Sequence, residues 1–272
     1  MPPRATPYAR CVTDRAASAA PILEVEGLTV RYGVRTAVDG LGFSIGREEI
    51  FGLLGPNGAG KTSTLSVIEG LQKPAAGTVV IDGDDALKAP LAAKSKLGVQ
   101  LQATSFQDEL SIEQLARLYG GLYGLRLTRD EIHARLSEVG LAEERTKPFK
   151  RLSGGQQQRF SLFVAVIHEP LLLLLDEPTA GLDPQSRRGL WARLERLRGD
   201  GGSILLTTHS MEEAQAVCDR IAIIDHGVLL ETGAPAEIVA RYRDDPRVLK
   251  YAHGEPTLED VFIGLTGSDI RE

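Results

Sequence analysis

The stretch "IFGLLGPNGAGKT", residues 50–62, decides how the rest of the chain reads. Its five apolar residues run without alternation, as strands buried on both faces of a parallel sheet do. They are followed at once by "GPNGAGKT" (55–62), which satisfies G-x-x-x-x-G-K-[ST]. In that pattern Gly55, Gly58 and Gly60 let the backbone curl so that its N–H groups face phosphate oxygens. Lys61 reaches the β- and γ-phosphates, and Thr62 offers a hydroxyl to Mg²⁺. A plain glycine-rich turn is the competing reading. The strand before the loop speaks against it, as does the helix after it, running from near Gly60 to a C-cap at Gly70.

Two more apolar runs end in polar residues. "LLLLL" (171–175) leads into "DEPTAGLD", and "SILLTT" (203–208) leads into "HSMEEA". Ligands of open α/β sheets bind outside the carboxyl ends of the strands, so the three runs place their polar ends along one edge of a shared site. Asp176 is the candidate for the Mg²⁺ shell, and Glu177 for polarising the attacking water. The bland alternative is an acidic residue ahead of the turn-forming Pro178. His209 ends the third run. A lone histidine is more often structural, but this one stands beside the other two strand ends. His133, His168, His226 and His253 have no such setting and read as surface or turn residues.

Composition narrows the class. A chain of 272 residues, 42% of them hydrophobic, can bury a sizeable α/β core. A net charge of −6 argues against a nucleic-acid binder, which carries a basic footprint. Cys11 and Cys218 are too few for a disulfide framework and lack metal-ligand spacing, so a reducing compartment is expected. No apolar run approaches the roughly 20 residues that span a bilayer. Residues 1–20 lack the apolar block of a signal peptide and read as a disordered tail. "SIEQLARLYGGLYGL" (111–125), with Ile112, Leu115, Leu118 and Leu122, predicts an amphipathic helix. "RDEIHARLSEVGL" (129–141), with Ile132, Leu136 and Val139, predicts another. Residues 241–255 read as a linker before a last helix near "TLEDVFIGLTG".

A second phosphate cradle is left over. "RLSGGQQQRF" (151–160) sets a serine and two glycines ahead of a helix, where free N–H groups and the positive dipole end would face an anion. A Ser N-cap explains Ser153 but not the double glycine. Guanine recognition by N-K-x-D is absent, since Asn57 is the only asparagine. "LSGGQQQR" (152–159), upstream of a strand ending in Asp-Glu, closely resembles the signature motif of ATP-binding-cassette (ABC) ATPases. Tyr32 in "VRYG" matches the family's adenine-stacking aromatic, and Gln102 in "LGVQLQ" its Mg²⁺-shell glutamine. Asp183 in "AGLD" matches the interface aspartate, and His209 the switch histidine. The resemblance covers about residues 22–240.

That resemblance implies an α/β fold: a P-loop NTPase (RecA-like core) with an antiparallel β subdomain and an α-helical subdomain at about 103–150. The ATPase domain would span 21–242, with a short C-terminal extension at 243–272. Nucleotide contacts would come from Tyr32, Gly55, Pro56, Asn57, Gly58, Ala59, Gly60, Lys61, Thr62 and Ser63. Thr62, Gln102 and Asp176 would hold Mg²⁺; Glu177, His209, Lys61 and Gln102 would serve ATP hydrolysis. The family closes as head-to-tail dimers, so Ser153, Gly154, Gly155, Gln156 and Asp183 would complete the site of a second cassette, identical or related. A transmembrane partner would dock near Gln102, where Phe106 is an interaction residue if exposed and core if buried. "EPTLEDVFIGLTG" (255–267) resembles the ABC-2-type, daunorubicin-resistance-like exporters. It implies a separate polytopic membrane subunit, a peripheral place on the cytoplasmic face, and export of a drug, lipid or polysaccharide. A soluble ABC ATPase of the iron–sulfur assembly type is the rival reading. Glu48 stands where the family usually has glycine, in what reads as a surface turn.

Overall fold

Two sheets and a layer of helices arrange the residues that the computed structural model describes, 20–100 and 106–267. Residues 1–19, with Cys11, and the predicted Gln102 lie outside the described residues. In chain order the first strands are β1 (Leu23–Tyr32), β2 (Arg35–Ile45), β3 (Ile50–Leu54), β4 (Ala76–Ile81) and β5 (Asp84–Asp85). They are followed by β6 (Leu97–Gln100), β7 (Leu172–Asp176), β8 (Ser203–Thr208), β9 (Arg220–Asp225) and β10 (Val228–Gly233). One sheet runs β2-β1-β4-β5 and is antiparallel; the other runs β10-β9-β3-β8-β7-β6. In the second sheet every pairing but β10 with β9 is parallel. β3, β7 and β8 are buried along their whole length, as their unbroken apolar runs require.

Register fixes where those strands end. Leu54 pairs with Thr208, and Asp176 with Thr207. The residues that follow, Gly55, Glu177 and His209, therefore emerge at one edge of the sheet. β7 ends one residue later than the apolar run suggests, with Asp176 as its buried last residue.

α1 (Lys61–Ile68) packs its Leu65 and Ile68 between the sheets, beside Phe51 and Phe43, whose rings stack at 5.4 Å. It stops as predicted at Gly70, in the left-handed region at φ 68°. Leu71 N–H donates to Ser66 O and Gly70 N–H to Val67 O, the paired bonds of a Schellman motif. α2 (Pro90–Ser95) lies between β5 and β6 in the chain.

The helical layer is α3 (Ile112–Leu122), α4 (Arg129–Glu138) and α5 (Gly154–Ala165), the first two opened by capping boxes at Ser111 and Thr128. Phe106 is buried among Tyr119, Phe149 and Phe160 at 4.8–5.3 Å between ring centroids, so it is core. On α4 the predicted face holds: Ile132, Leu136 and Val139 are all buried. On α3 it holds only in part. Ile112, Leu115 and Ala116 go inward with Tyr119 against them, and that stripe rotates Leu118 and Leu122 out to the surface.

His168 lies in a turn, as expected, and is partly buried there: its ring stacks on Tyr123 at 3.6 Å, and Nε2 lies 2.8 Å from Leu97 O, tying the helical layer to β6. One further expectation is corrected. The supposed linker at 241–255 contains α9 (Pro246–Leu249), whose Val248 is fully buried. α6 (Pro184–Gly199), α7 (Met211–Val217), α8 (Pro235–Arg241) and α10 (Leu258–Thr266) cover the same face of the large sheet.

Glu48 occupies an exposed turn at φ 58°, a backbone conformation that a Cβ disfavours. Replacing it with glycine removes that strain and keeps the backbone N–H bond to Ser203 Oγ. Glu48→Gly is expected to raise the unfolding free energy by about 0.5–1 kcal/mol, read as a higher denaturant midpoint at unchanged slope.

Candidate functional site

The loop between β3 and α1 is shaped by what surrounds it. A Cβ on Gly55 would lie 2.4 Å from Ile224 O, and one on Gly60 (φ 107°) 2.7 Å from Ala37 O. Neither position admits a side chain, so β2 and β9 press the loop into its curl. The N–H groups of Gly58, Gly60, Lys61 and Thr62 find no acceptor among the described residues, and α1 has no side-chain cap. Four free donors at a helix start make an anion cradle. Pro56 accepts from Ala59 N–H within the loop. Asn57 lies in the same loop, and Ser63 sits in the first turn of α1. Tyr32 is half exposed and pairs across its hairpin with Arg35, whose Nη2 would lie 3.9 Å from a Cβ on Gly58.

Lys61 is buried. Its Nζ donates to Gly55 O at 2.6 Å and Pro56 O at 3.2 Å and lies 3.9 Å from Glu177 Oε1. Burial pulls its pKa below the usual lysine value, against the opposing charges of Glu177 and Asp176. Thr62 Oγ1 donates to Asp176 Oδ2 at 3.4 Å, so a hydroxyl and a carboxylate from different elements converge. This hard oxygen pair, one of them anionic, fits a magnesium ion that keeps most of its waters.

Thr207, which sequence reasoning missed, joins the two acidic residues. Its Oγ1 donates to Asp176 Oδ1 at 2.5 Å and accepts the Glu177 N–H at 3.0 Å. The available signal was a polar residue in a fully buried strand, which must find partners. Glu177 itself turns into the left-handed region at φ 47°, aiming its carboxyl across the strand ends. Its Oε1 lies 3.4 Å from Nδ1 of the half-exposed His209.

The second cradle is separate. No hydrogen bond or ion pair among the described residues joins Ser153–Gln156 to residues 55–62. Ser153 caps α5 in a capping box with Gln156, whose amide also donates to Glu144 at 3.0 Å. The double glycine is not needed for packing. A Cβ on Gly154 would meet nothing within 4 Å, and one on Gly155 only Ser186 Oγ at 3.9 Å. Gln158 donates to Pro178 O at 2.6 Å, linking α5 to the loop after Glu177. Asp183 caps α6 and is held below the usual carboxylate range by the Ser186 hydroxyl and nearby N–H groups.

Strand-end carboxylates, a buried lysine in an anion-binding loop and a glycine-opened helix define a P-loop nucleotide hydrolase with a second, outward-facing cradle. The family model described as ABC transporter matches residues 38–180. The "Nod factor export ATP-binding protein I" of Ralstonia nicotianae is 34% identical over 93% of this chain and 96% of its own length. The "Linearmycin resistance ATP-binding protein LnrL" of Bacillus subtilis is 37% identical over 82% and 73%. A solved "ATP binding subunit of ABC transporter" superposes with a TM-score of 0.78 at 28% identity, covering 90% of this chain and 99% of that one. The chain belongs to the ABC transporter family. It is an ATP-binding, ATP-hydrolysing subunit that works with separate transmembrane components.

Glu69, at the end of α1, is a buried carboxyl that the sequence did not flag. Burial, then the charge of Asp176, raises its pKa from 4.5 to about 7. Its contribution to stability is complete below pH 4.5 and is lost as pH rises through about 7. Without nucleotide or magnesium, the urea midpoint should fall from pH 5 to pH 8. Glu69→Gln should flatten that slope; an equal slope in the variant would contradict it.

Proposed function

We propose that two cassettes, each this chain or a close relative, close head to tail on ATP to drive export through an ABC-2-type membrane subunit. The supporting observation is the open double glycine at the start of α5. Its glycines serve no internal contact, and the helix end is exposed to receive a phosphate from outside the chain. In this reading residues 55–63 bind the phosphates, Tyr32 stacks on adenine, and Lys61 neutralises the transferred group. Ser153, Gly154, Gly155 and Gln156 clamp the γ-phosphate of the neighbour's ATP, with Asp183 across the interface. Clamping makes closure depend on a bond that hydrolysis breaks, which is how turnover becomes motion.

Thr62 and Asp176, with Gln102, are the proposed magnesium ligands. The ion would neutralise charge on the phosphates. Glu177 is the proposed general base. Lys61 and His209 both approach its Oε1, at 3.9 Å and 3.4 Å. His209 is half exposed, as a switch that must meet a γ-phosphate needs to be. The export-type names of the relatives support outward transport and a peripheral place on the cytoplasmic face of the membrane. The transported class would be a drug, lipid or polysaccharide.

Glu177→Gln should slow ATP turnover by about 10²–10⁴-fold while nucleotide still binds. Parental turnover in a phosphate-release assay would remove Glu177 as the base. Ser153→Arg puts a long cation at the open helix start. It should leave ATP binding to a single chain intact and block turnover; normal turnover would show that the second cradle serves something else.

A further inference from the structure

Several arginines of this chain are tied to carboxylates, Arg145 to Glu113 at 3.0 Å and Arg220 to Glu49 at 3.1 Å among them. Arg159 on α5 and Arg193 and Arg196 on α6 are not: among the described residues their side chains make no hydrogen bond or ion pair. All three line one cavity of about 430 Å³ between α4, α5 and α6. Leu162, Leu182 and Leu190 give it an apolar wall, and Glu138 is its one carboxylate among the described residues. Solvent satisfies Arg159 and Arg196, which are exposed. It does not reach Nε of Arg193, which is shut off from water and has no partner. A buried donor without an acceptor is costly, the more so on a cation. Burial, then the Arg196 charge, pulls the Arg193 pKa down to about 10 against the attraction of Glu138, so the group is still charged at neutral pH.

We propose that this cavity binds a small phosphomonoester with an apolar body. Charge selects the phosphate. Three guanidinium groups face one carboxylate, and a phosphomonoester, at about −1.5 to −2 near pH 7, balances the excess. The planar forks of arginine match phosphate oxygens. The leucines select the apolar body, and the volume falls within the roughly 300–1,000 Å³ of small-molecule sites. Arg193 and Arg196 also border a neighbouring cavity of about 360 Å³. There Glu138, Glu169 and Asp200 balance the arginines, and Arg135 is already paired with Glu169 at 3.5 Å, so the anion belongs in the first cavity. No lining residue of that cavity comes from the loop at 55–62 or the ends of β3, β7 and β8, so it is not the ATP site. It meets the second cradle only at Gly155, and the proposal does not depend on how two cassettes close. An occupant would join α4 and α5 of the helical layer to α6.

The test is calorimetric titration of the full chain with hexyl phosphate while ADP and magnesium saturate the loop at 55–62. Hexyl phosphate should bind one per chain and at least about 10-fold tighter than inorganic phosphate, because its methylenes leave water, and hexanol should show no saturable binding. Arg193→Gln should weaken hexyl phosphate at least about 10-fold through loss of a charge-assisted hydrogen bond, with ADP affinity parental. If Arg193→Gln does not fold, Arg196→Gln carries the test, with a loss of at least about threefold expected for an exposed charge. No saturable binding of hexyl phosphate, inorganic phosphate binding as tightly, saturable binding of hexanol, or parental affinity in the arginine variant would each overturn the proposal. Vesicles carrying phosphatidic acid should show no binding that depends on Arg193. Such binding would make the ligand a membrane lipid and would overturn the proposal of a small one.

Discussion

The hydroxyl of Thr207 is the point on which the site depends. It donates to Asp176 and accepts from the N–H of Glu177, so two consecutive acidic residues of β7 are fixed by one residue of β8. That arrangement exists only because Asp176 and Thr207 are register partners. A slip of one residue would exchange the faces of the strand and carry both carboxylates away from Lys61. β3, β7 and β8 are buried along their whole length, so burial on both faces does not choose between registers; the buried polar groups at the strand ends, which must find partners, do.

Two kinds of strain accompany that arrangement. Glu177 leaves its strand in a left-handed conformation, and Lys61 is buried against the preference of its charge for water. Both are held by neighbours: the Glu177 N–H by Thr207, the Lys61 ammonium by the carbonyls of Gly55 and Pro56. Such preorganisation is what a site needs if it is to meet a charged phosphate without rearranging. α5 presents the opposite situation: a helix start with open glycines and no strain. One cradle is closed in by its neighbours and preorganised, whereas the other lies open at the surface.

Most of this was legible in the sequence where chemistry and period coincide. The loop at 55–62 announces itself through glycine spacing and Lys-Thr, and the three apolar runs announce strands whose ends must share an edge. What the sequence hid are the groups whose meaning depends on register or packing. Thr207 reads as an ordinary polar residue until its strand neighbour is known. Leu118 and Leu122 fit a helical period, yet the buried stripe of α3 passes through Ala116 and Tyr119 instead, because those face Phe106 and α5. His168 read correctly as a turn residue, but its stacking on Tyr123, at the end of α3, could not be seen from the sequence. Val248 was lost in a charged stretch, where a helix of four residues is too short to show a period.

The central claim is that neither cradle completes ATP hydrolysis without a second cassette. The most direct measurement is specific ATPase activity of the full chain across a wide range of protein concentration at saturating ATP and magnesium. Activity per chain should rise with concentration and saturate, with ATP-dependent dimers appearing by light scattering over the same range. Full activity per chain at high dilution, with single chains alone in the scattering, would contradict the account.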